Sequence, residues 1–204
     1  MREPEVSSVD KLEAAYAAKA RAELADADVV AGVGSDSRDG PVVGARIVFL
    51  VAQRADPAPA AILGERTAEA VARAAEALGA ADATFVLVTR PEAKTSAEAR
   101  ARRVRIALEA VDAPAVIALD AESAEDLACA FELDRLRAGR PVRAMGRSLA
   151  FVGEFTASLD DASAKAKAWS AMKSVATQAG LKAKGRPKAP LAEPRPDPKA
   201  AGRD

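Results

Sequence analysis

The chain has 204 residues, half of them hydrophobic and only 3% aromatic, which is enough apolar material for one sizeable domain with an aliphatic core. Thirty basic residues balance thirty acidic ones, so the chain has no global basic field that would attract nucleic acid, although local patches stay possible. The sequence has no histidine and no asparagine, and its one cysteine is Cys129. These absences exclude Ser-His-Asp and Cys-His catalysis, an intramolecular disulfide and a cysteine-ligated zinc or iron–sulfur site within one chain.

The first twenty residues, MREPEVSSVDKLEAAYAAKA, are charged throughout and lack the apolar core of a signal peptide. No apolar run is long enough to span a bilayer. We therefore expect a cytoplasmic protein with no membrane partner, no metal and no cofactor.

Helix and strand patterns alternate along the chain. Continuous runs of branched apolar residues predict strands that are buried on both faces, and three- to four-residue apolar spacing predicts helices. The predicted elements are, in chain order, a helix over 9–25, a strand over 46–52, a helix over 64–80 with Gly79 as its C-cap, a strand over 83–89, a helix over 95–111, a strand over 114–120, a helix over 122–133, a hairpin over 141–155 that turns at Gly146 and Arg147, and a helix over 160–180 capped by Asp160 or Asp161 and stopped by Gly180.

Four alternations of strand and helix predict an α/β fold, a three-layer α/β/α sandwich around a central four-stranded, mainly parallel sheet. The domain organisation follows from the same pattern. Residues 1–25 form an N-terminal helix, residues 26–180 form the α/β domain, and residues 181–204 form a disordered, basic, proline-rich C-terminal tail.

The carboxyl ends of the predicted strands are where open α/β folds bind ligands. Asp56 follows the first buried strand and is a candidate for acid–base work with a bound water, although the sequence shows no partner for it. Asp120 follows the third strand. The candidate ligand-binding residues at this edge are Gln53, Arg54, Thr89, Arg90, Asp120, Thr156 and Ser158.

The tail contains the segment AKGRPKAP, which resembles the core of the AT-hook, a minor-groove-binding element. Gly185 allows close approach to the groove floor, Pro187 keeps the backbone extended, and Arg186 suits the strong negative potential of a narrow groove. Lys184 stands where the usual arginine precedes the glycine, and Lys188 follows the proline. These five residues are candidate DNA contacts, and the alternative is a tail that only solubilises the chain.

The order of segments resembles that of the uracil-DNA glycosylase superfamily. The stretch DVVAGVGSDSRDGPVVGARIVFLVAQRADP resembles its lead-in and first strand, AEALGAADATFVLVTRP its helix and second strand, and PAVIALDAESAEDLA its third strand. GRSLAFVGEFTASL followed by KAKAWSAMKSV is similar to the closing loop and last helix. The likeness covers residues 25–178 and rests on order and spacing. It implies the glycosylase-like α/β domain.

The functional positions of that family are replaced here. VAQRADP stands in place of the GEAPG loop, Thr89 and Arg90 lie near the position of the strand-end asparagine, and Thr156 stands at the histidine position of the closing motif, of which only Ser158 matches. An arginine offers only donors and fits poorly to the mixed donor–acceptor edge of uracil. The resemblance therefore implies a diverged member whose active site is degenerate.

Three hypotheses for function follow. The first is a non-catalytic, glycosylase-like domain that binds DNA through its edge loops and basic tail. The second is a weakly active glycosylase-type hydrolase of a nucleobase or of DNA that uses Asp56. The third is a scaffold domain or a domain that binds a small metabolite. The absence of histidine and asparagine counts against the second, and net neutrality counts against strong DNA affinity in the first.

Overall fold

The computed structural model describes residues 8–26, 30–32, 44–52, 63–81, 84–89 and 95–182. The strands are β1 (Val30–Gly32), β2 (Ile47–Val51), β3 (Thr84–Val88), β4 (Ala115–Ala118), β5 (Val142–Ala144) and β6 (Arg147–Phe151). The helices are α1 (Ser8–Asp26), α2 (Glu65–Ala77), α3 (Ala97–Val111), α4 (Ala121–Ala130), α5 (Phe155–Ser158) and α6 (Ala162–Gln178).

The strands form one sheet in the order β1-β3-β2-β4-β6-β5. The four predicted strands are the inner ones, β3, β2, β4 and β6, and each pairs in parallel with its neighbour. The predicted count of four was wrong, because a short strand pairs antiparallel at each edge, β1 with β3 and β5 with β6. Both edge strands have three residues, so their own sequences give only a weak strand signal.

Helices cover both faces of the sheet, which confirms the predicted α/β/α layers. Alternate side chains of β2 illustrate the division, since Val48 and Leu50 pack toward α3 and α4 while Ile47 and Phe49 pack toward α2 and α6. All four of these side chains are fully buried. The helix α1 joins the α3 side of the core through Ala20 and Leu24.

Local signals set most of the element ends. Gly79 has a φ of 74° just after α2, and Gly180 has the same φ just after α6, so both predicted helix stops are confirmed. The β5–β6 hairpin turns at Met145 and Gly146, one residue earlier than predicted, and both residues have positive φ as a type I′ turn requires. The helix α4 ends at Ala130, three residues earlier than predicted.

Among the described residues, no helix is both long enough and apolar enough to cross a membrane.

Candidate functional site

The strand order places a topological switch point between β2 and β4. From β2 the chain passes through α2 to β3 on one side, whereas from β4 it passes through α4 toward β6 on the other. The two adjacent strands are parallel, and α2 and α4 pack against opposite faces of the sheet. The carboxyl ends of β2 and β4 therefore open into the crevice where such sheets bind ligands.

A cleft of about 460 Å³ occupies this crevice. Apolar side chains at the strand ends, Val51 and Leu119, form part of its lining together with Leu63, which precedes α2. The polar lining consists of carboxylates and hydroxyls, contributed by Asp120, Glu122, Glu154, Thr67 and Thr156. Among the residues that the structure describes, none that lines this cleft is basic. The cleft therefore offers hydrogen-bond acceptors and negative charge.

Asp120 lies at the carboxyl edge, as predicted, and its carboxylate joins two elements. Its Oδ1 accepts a hydrogen bond from the Ser123 N–H at 2.7 Å, which makes Asp120 the N-cap of α4. Its Oδ2 accepts from the Ala52 N–H at 2.9 Å, just beyond the end of β2. Each oxygen of Asp120 is thus committed to a backbone donor.

Glu154 contributes a second carboxylate to the same helix end. Its Oε1 accepts a hydrogen bond from the Ala121 N–H at 3.0 Å, the first residue of α4. Carboxylates suit the first turn of a helix, where N–H groups have no intrahelical partner. The second oxygen, Oε2, has no hydrogen-bond partner among the described residues, and Glu154 is exposed. This oxygen stays open to a ligand in the cleft.

The opposite wall of the cleft is formed where α2 meets α5. The hydroxyls of Thr67 and Thr156 lie 3.2 Å apart, and Thr67 is buried. Next to this pair, Arg66 donates hydrogen bonds to the Asp160 carboxylate and to the Leu159 carbonyl. Arg66 also holds the pKa of Asp160 below its ordinary value, through the hydrogen bond first and the positive charge second. These contacts hold the two helices together beside the cleft.

The predicted residues Thr156 and Ser158 face different places. Thr156 lines the cleft, but Ser158 is buried and its hydroxyl donates to the Phe155 carbonyl at 2.7 Å. Ser158 lines a separate depression of about 580 Å³ between α5, α6 and the segment at Gly139. Thr156, at the histidine position of the closing motif, and Ser158, which matches that motif, therefore do not converge on one cleft.

Thr89, another predicted ligand-binding residue, belongs to a buried polar network. Its hydroxyl donates to Asp126 Oδ2 at 2.8 Å, and Arg100 Nε donates to Asp126 Oδ1 at 2.9 Å. Arg100 Nη1 also donates to the Thr95 carbonyl at 2.7 Å. Asp126 is 1% exposed. The network joins the end of β3 to α3 and α4 and occupies the Thr89 hydroxyl.

Asp126 was not among the residues predicted from the sequence, although its position on α4 gives one signal. Ser123, Leu127 and Ala130 share its face of α4, and all are buried. A carboxylate on the buried face of a helix needs a partner, so its position alone predicts a cation nearby. The position of Arg100 on α3 gives no comparable signal of burial, because a neighbouring arginine on the same helix, Arg102, is exposed.

Several predicted residues lie outside the described part of the chain. These are the candidate acid, the other residues of its loop, the arginine after β3 and the five tail residues, namely Asp56, Gln53, Arg54, Arg90, Lys184, Gly185, Arg186, Pro187 and Lys188. Their roles stay predictions. Within the described ranges, no group of three or more carboxylate or thiol side chains is arranged to hold a metal ion.

No protein-family model matches the chain, and a comparison with curated proteins finds no match.

Proposed function

We propose that this chain is a binding domain rather than an enzyme, and that its cleft holds a small organic molecule carrying amino or amidino groups. The observation that carries this proposal is the position of the cleft at the switch point between β2 and β4, the usual ligand site of an open parallel sheet. A volume of about 460 Å³ lies in the range of small-molecule pockets.

The lining supports the chemical class of the ligand. Within the described ranges, the cleft is lined by Glu122, Glu154 and the threonines Thr67 and Thr156, and by no basic side chain. A ligand with N–H donors or a positive charge would satisfy the free Oε2 of Glu154, whereas a phosphate group would meet repulsion from these carboxylates.

A non-catalytic role agrees with the side chains present. No histidine occurs in the sequence, so neither threonine hydroxyl has an imidazole base. Asp120, which is well placed at the edge, has both oxygens engaged by backbone donors. A hydrolase that uses Asp56 is the alternative, since residue 56 follows β2 by five positions and the end of β2 lines the cleft. Turnover of a uracil-containing duplex that vanishes in Asp56→Asn would support it.

A thermal-shift panel tests the proposal. Putrescine, agmatine and cytosine are the probes, with uracil, phosphate and acetate for comparison. We expect a concentration-dependent rise in Tm with the amino compounds, because a ligand that binds only the folded state stabilises it. The rise should disappear in Glu154→Gln and Thr67→Val. The matched control is Thr177→Val, an exposed threonine on α6.

Ligand-induced rises in Tm that are equal in the cleft variants and in Thr177→Val would contradict the proposal. Stabilisation by phosphate and not by the amino compounds would also contradict it.

The glycosylase-like, DNA-binding domain is a second candidate. This candidate rests on the order of the sequence segments, and the mainly parallel sheet has the α/β class that the resemblance implies. The carboxylates of the cleft count against a phosphate backbone at the switch point. Fluorescence anisotropy of a labelled duplex with and without uracil, at two salt concentrations, tests this candidate. A preference for uracil would favour it, and no binding at low salt would exclude it.

A further inference from the structure

The segment after α4, residues 135–147, combines strong positive charge with an edge position in the sheet. It contains five arginines in thirteen residues, with no lysine and no acidic residue. It includes β5, which lies at the edge of the described sheet next to β6. The arginines of this arginine segment are Arg135, Arg137, Arg140, Arg143 and Arg147.

Two of these arginines have structural roles. Arg147 Nη2 donates to the Leu108 carbonyl near the end of α3 and to Asp112 at 2.7 Å. Arg143 Nη2 donates to the Gln178 carbonyl at the end of α6 at 3.2 Å. Cations suit helix C-termini, where carbonyl groups have no intrahelical partner. The β5–β6 hairpin therefore contacts one helix on each face of the sheet, α3 through Arg147 and α6 through Arg143.

The other three arginines have no such role. Arg135, Arg137 and Arg140 are exposed, and none forms an ion pair with any residue that the structure describes. Glu132 and Asp134 precede the segment without pairing with these arginines. Three exposed guanidinium groups without an ion pair among the described residues thus lie within six residues of sequence, on a protein of zero net charge.

The backbone that carries these arginines is held in place. Leu136, between Arg135 and Arg137, is 8% exposed and belongs to the core on the α3 and α4 side. The Gly139 N–H donates to the Phe151 carbonyl at 2.9 Å, which ties the segment to the end of β6. A fixed backbone reduces the conformational entropy that is lost when the side chains bind a partner.

We propose that the arginine segment binds the phosphate backbone of nucleic acid through Arg135, Arg137 and Arg140. The planar guanidinium group matches phosphate oxygens in a bidentate way that lysine does not, and all the cations of the segment are arginines. Such contacts give binding without sequence preference. This inference does not rest on the cleft ligand, and it assigns a surface distinct from both the cleft and the tail.

The test compares two triple variants of the full chain by fluorescence anisotropy of a labelled 20-base-pair duplex, across a series of salt concentrations. The first variant is Arg135→Gln, Arg137→Gln and Arg140→Gln. The matched control is Arg21→Gln, Arg46→Gln and Arg73→Gln, three exposed arginines elsewhere, which changes the net charge equally.

We expect the wild type and the control to bind alike and the first variant to bind at least roughly tenfold more weakly at low salt. Its slope of log K against log salt should be shallower by about two to three, one unit for each lost phosphate contact. Unchanged affinity in the first variant, or no binding of the duplex by the wild type at low salt, would overturn the proposal.

Equal losses in both variants would also overturn it, since net charge alone would then explain the effect. Competition by polyglutamate as effective as that by duplex, at equal charge concentration, would assign the segment to acidic protein partners and likewise contradict the proposal.

Discussion

The Asp120 carboxylate accepts the Ala52 N–H at 2.9 Å and so joins the end of β4 to the end of β2 across 68 residues of sequence. The same carboxylate caps α4 through Ser123. Ala52 is 6% exposed, so loss of the carboxylate would leave the N–H of a buried residue without this partner. This side chain therefore adds a contact at the cleft beyond the backbone hydrogen bonds that pair β2 with β4.

We expect Asp120→Ala to lower the free energy of unfolding by about 2–4 kcal/mol, because it removes a helix cap worth about 1 kcal/mol and leaves a buried donor unsatisfied. Asp161→Ala is the control. Asp161 caps α6 by accepting from Ser163 and Ala164, with no contact to a distant strand, so we expect a loss of about 1 kcal/mol. Urea denaturation measures both values.

Equal losses in the two variants would mean that the contact with Ala52 contributes nothing, and the description of Asp120 as a junction between strands would be wrong.

The network of Thr89, Asp126 and Arg100 predicts an asymmetric response to mutation. Arg100→Met keeps much of the apolar stem but removes the Arg100 guanidinium from the Asp126 carboxylate, which is 1% exposed, so we expect a loss of about 3–5 kcal/mol of unfolding free energy. Asp126→Asn should cost less, because the Arg100 side chain is 16% exposed and reaches water. Urea denaturation of both variants and of the double variant measures the coupling free energy.

We expect this coupling to reach about 1 kcal/mol or more, as is usual for residues in one hydrogen-bonded network. Additive effects would contradict the ion pair that the structure places between α3 and α4.

The pKa of Asp160 should respond to Arg66. The Arg66 guanidinium donates hydrogen bonds to this carboxylate and lies beside it as a positive charge, and both effects hold the pKa of Asp160 below its ordinary value. The folded pKa is thus lower than the unfolded one. The contribution of this ion pair to the stability of the fold is therefore present above the unfolded pKa of Asp160 and is lost as the pH falls through its folded pKa.

An NMR titration of the Asp160 carboxyl carbon checks this. We expect Arg66→Gln to raise its pKa, and Arg73→Gln, which removes an exposed ion pair with Glu69 on the same helix, to leave it unchanged. Because both Arg66 and Asp160 are exposed, high salt should weaken the shift in the wild type. An identical titration of Asp160 in the wild type and in Arg66→Gln would contradict the contact.

The four inner strands and most of the helices could be predicted because their signals are local. Buried runs of branched residues mark β2 and β4, and Gly79 marks the end of α2. The edge strands give weaker local signals, and β5, the first arm of the predicted hairpin over 141–155, was not counted among the strands of the central sheet. Their pairing depends on β3 and β6, which present free backbone groups to short segments of weak strand propensity.

The location of the candidate site at the carboxyl edge of the sheet could be predicted from the sequence, but the hydrogen bonds within the site could not. Asp120 was expected at the carboxyl edge because it follows a buried strand, yet its bond to Ala52 joins segments far apart in sequence. The bond from Ala121 to Glu154 is likewise long-range, and no spacing rule predicts it. Thr89 was expected to face a ligand, whereas the structure directs its hydroxyl to Asp126.

Gly79 gives the sharpest test of packing near the end of the chain that the structure describes. A Cβ at this position would lie 2.7 Å from the Lys182 carbonyl oxygen, closer than a methyl group can approach a backbone atom. Gly180 has the same φ of 74°, but a Cβ added there would have no neighbouring atom within 4 Å among the described residues. Gly79→Ala and Gly180→Ala therefore share the conformational cost and differ in the steric clash.

We expect Gly180→Ala to lose about 1–2 kcal/mol of unfolding free energy, the cost of a left-handed conformation in an L-residue. Gly79→Ala should lose more, because the backbone at Lys182 must also move, and overpacking adds about 1–3 kcal/mol. Leu181, next to Lys182, is buried in the core on the α2 and α6 side, so the movement would disturb that packing. Equal losses by urea denaturation would mean that the segment after α6 does not pack against Gly79 in solution.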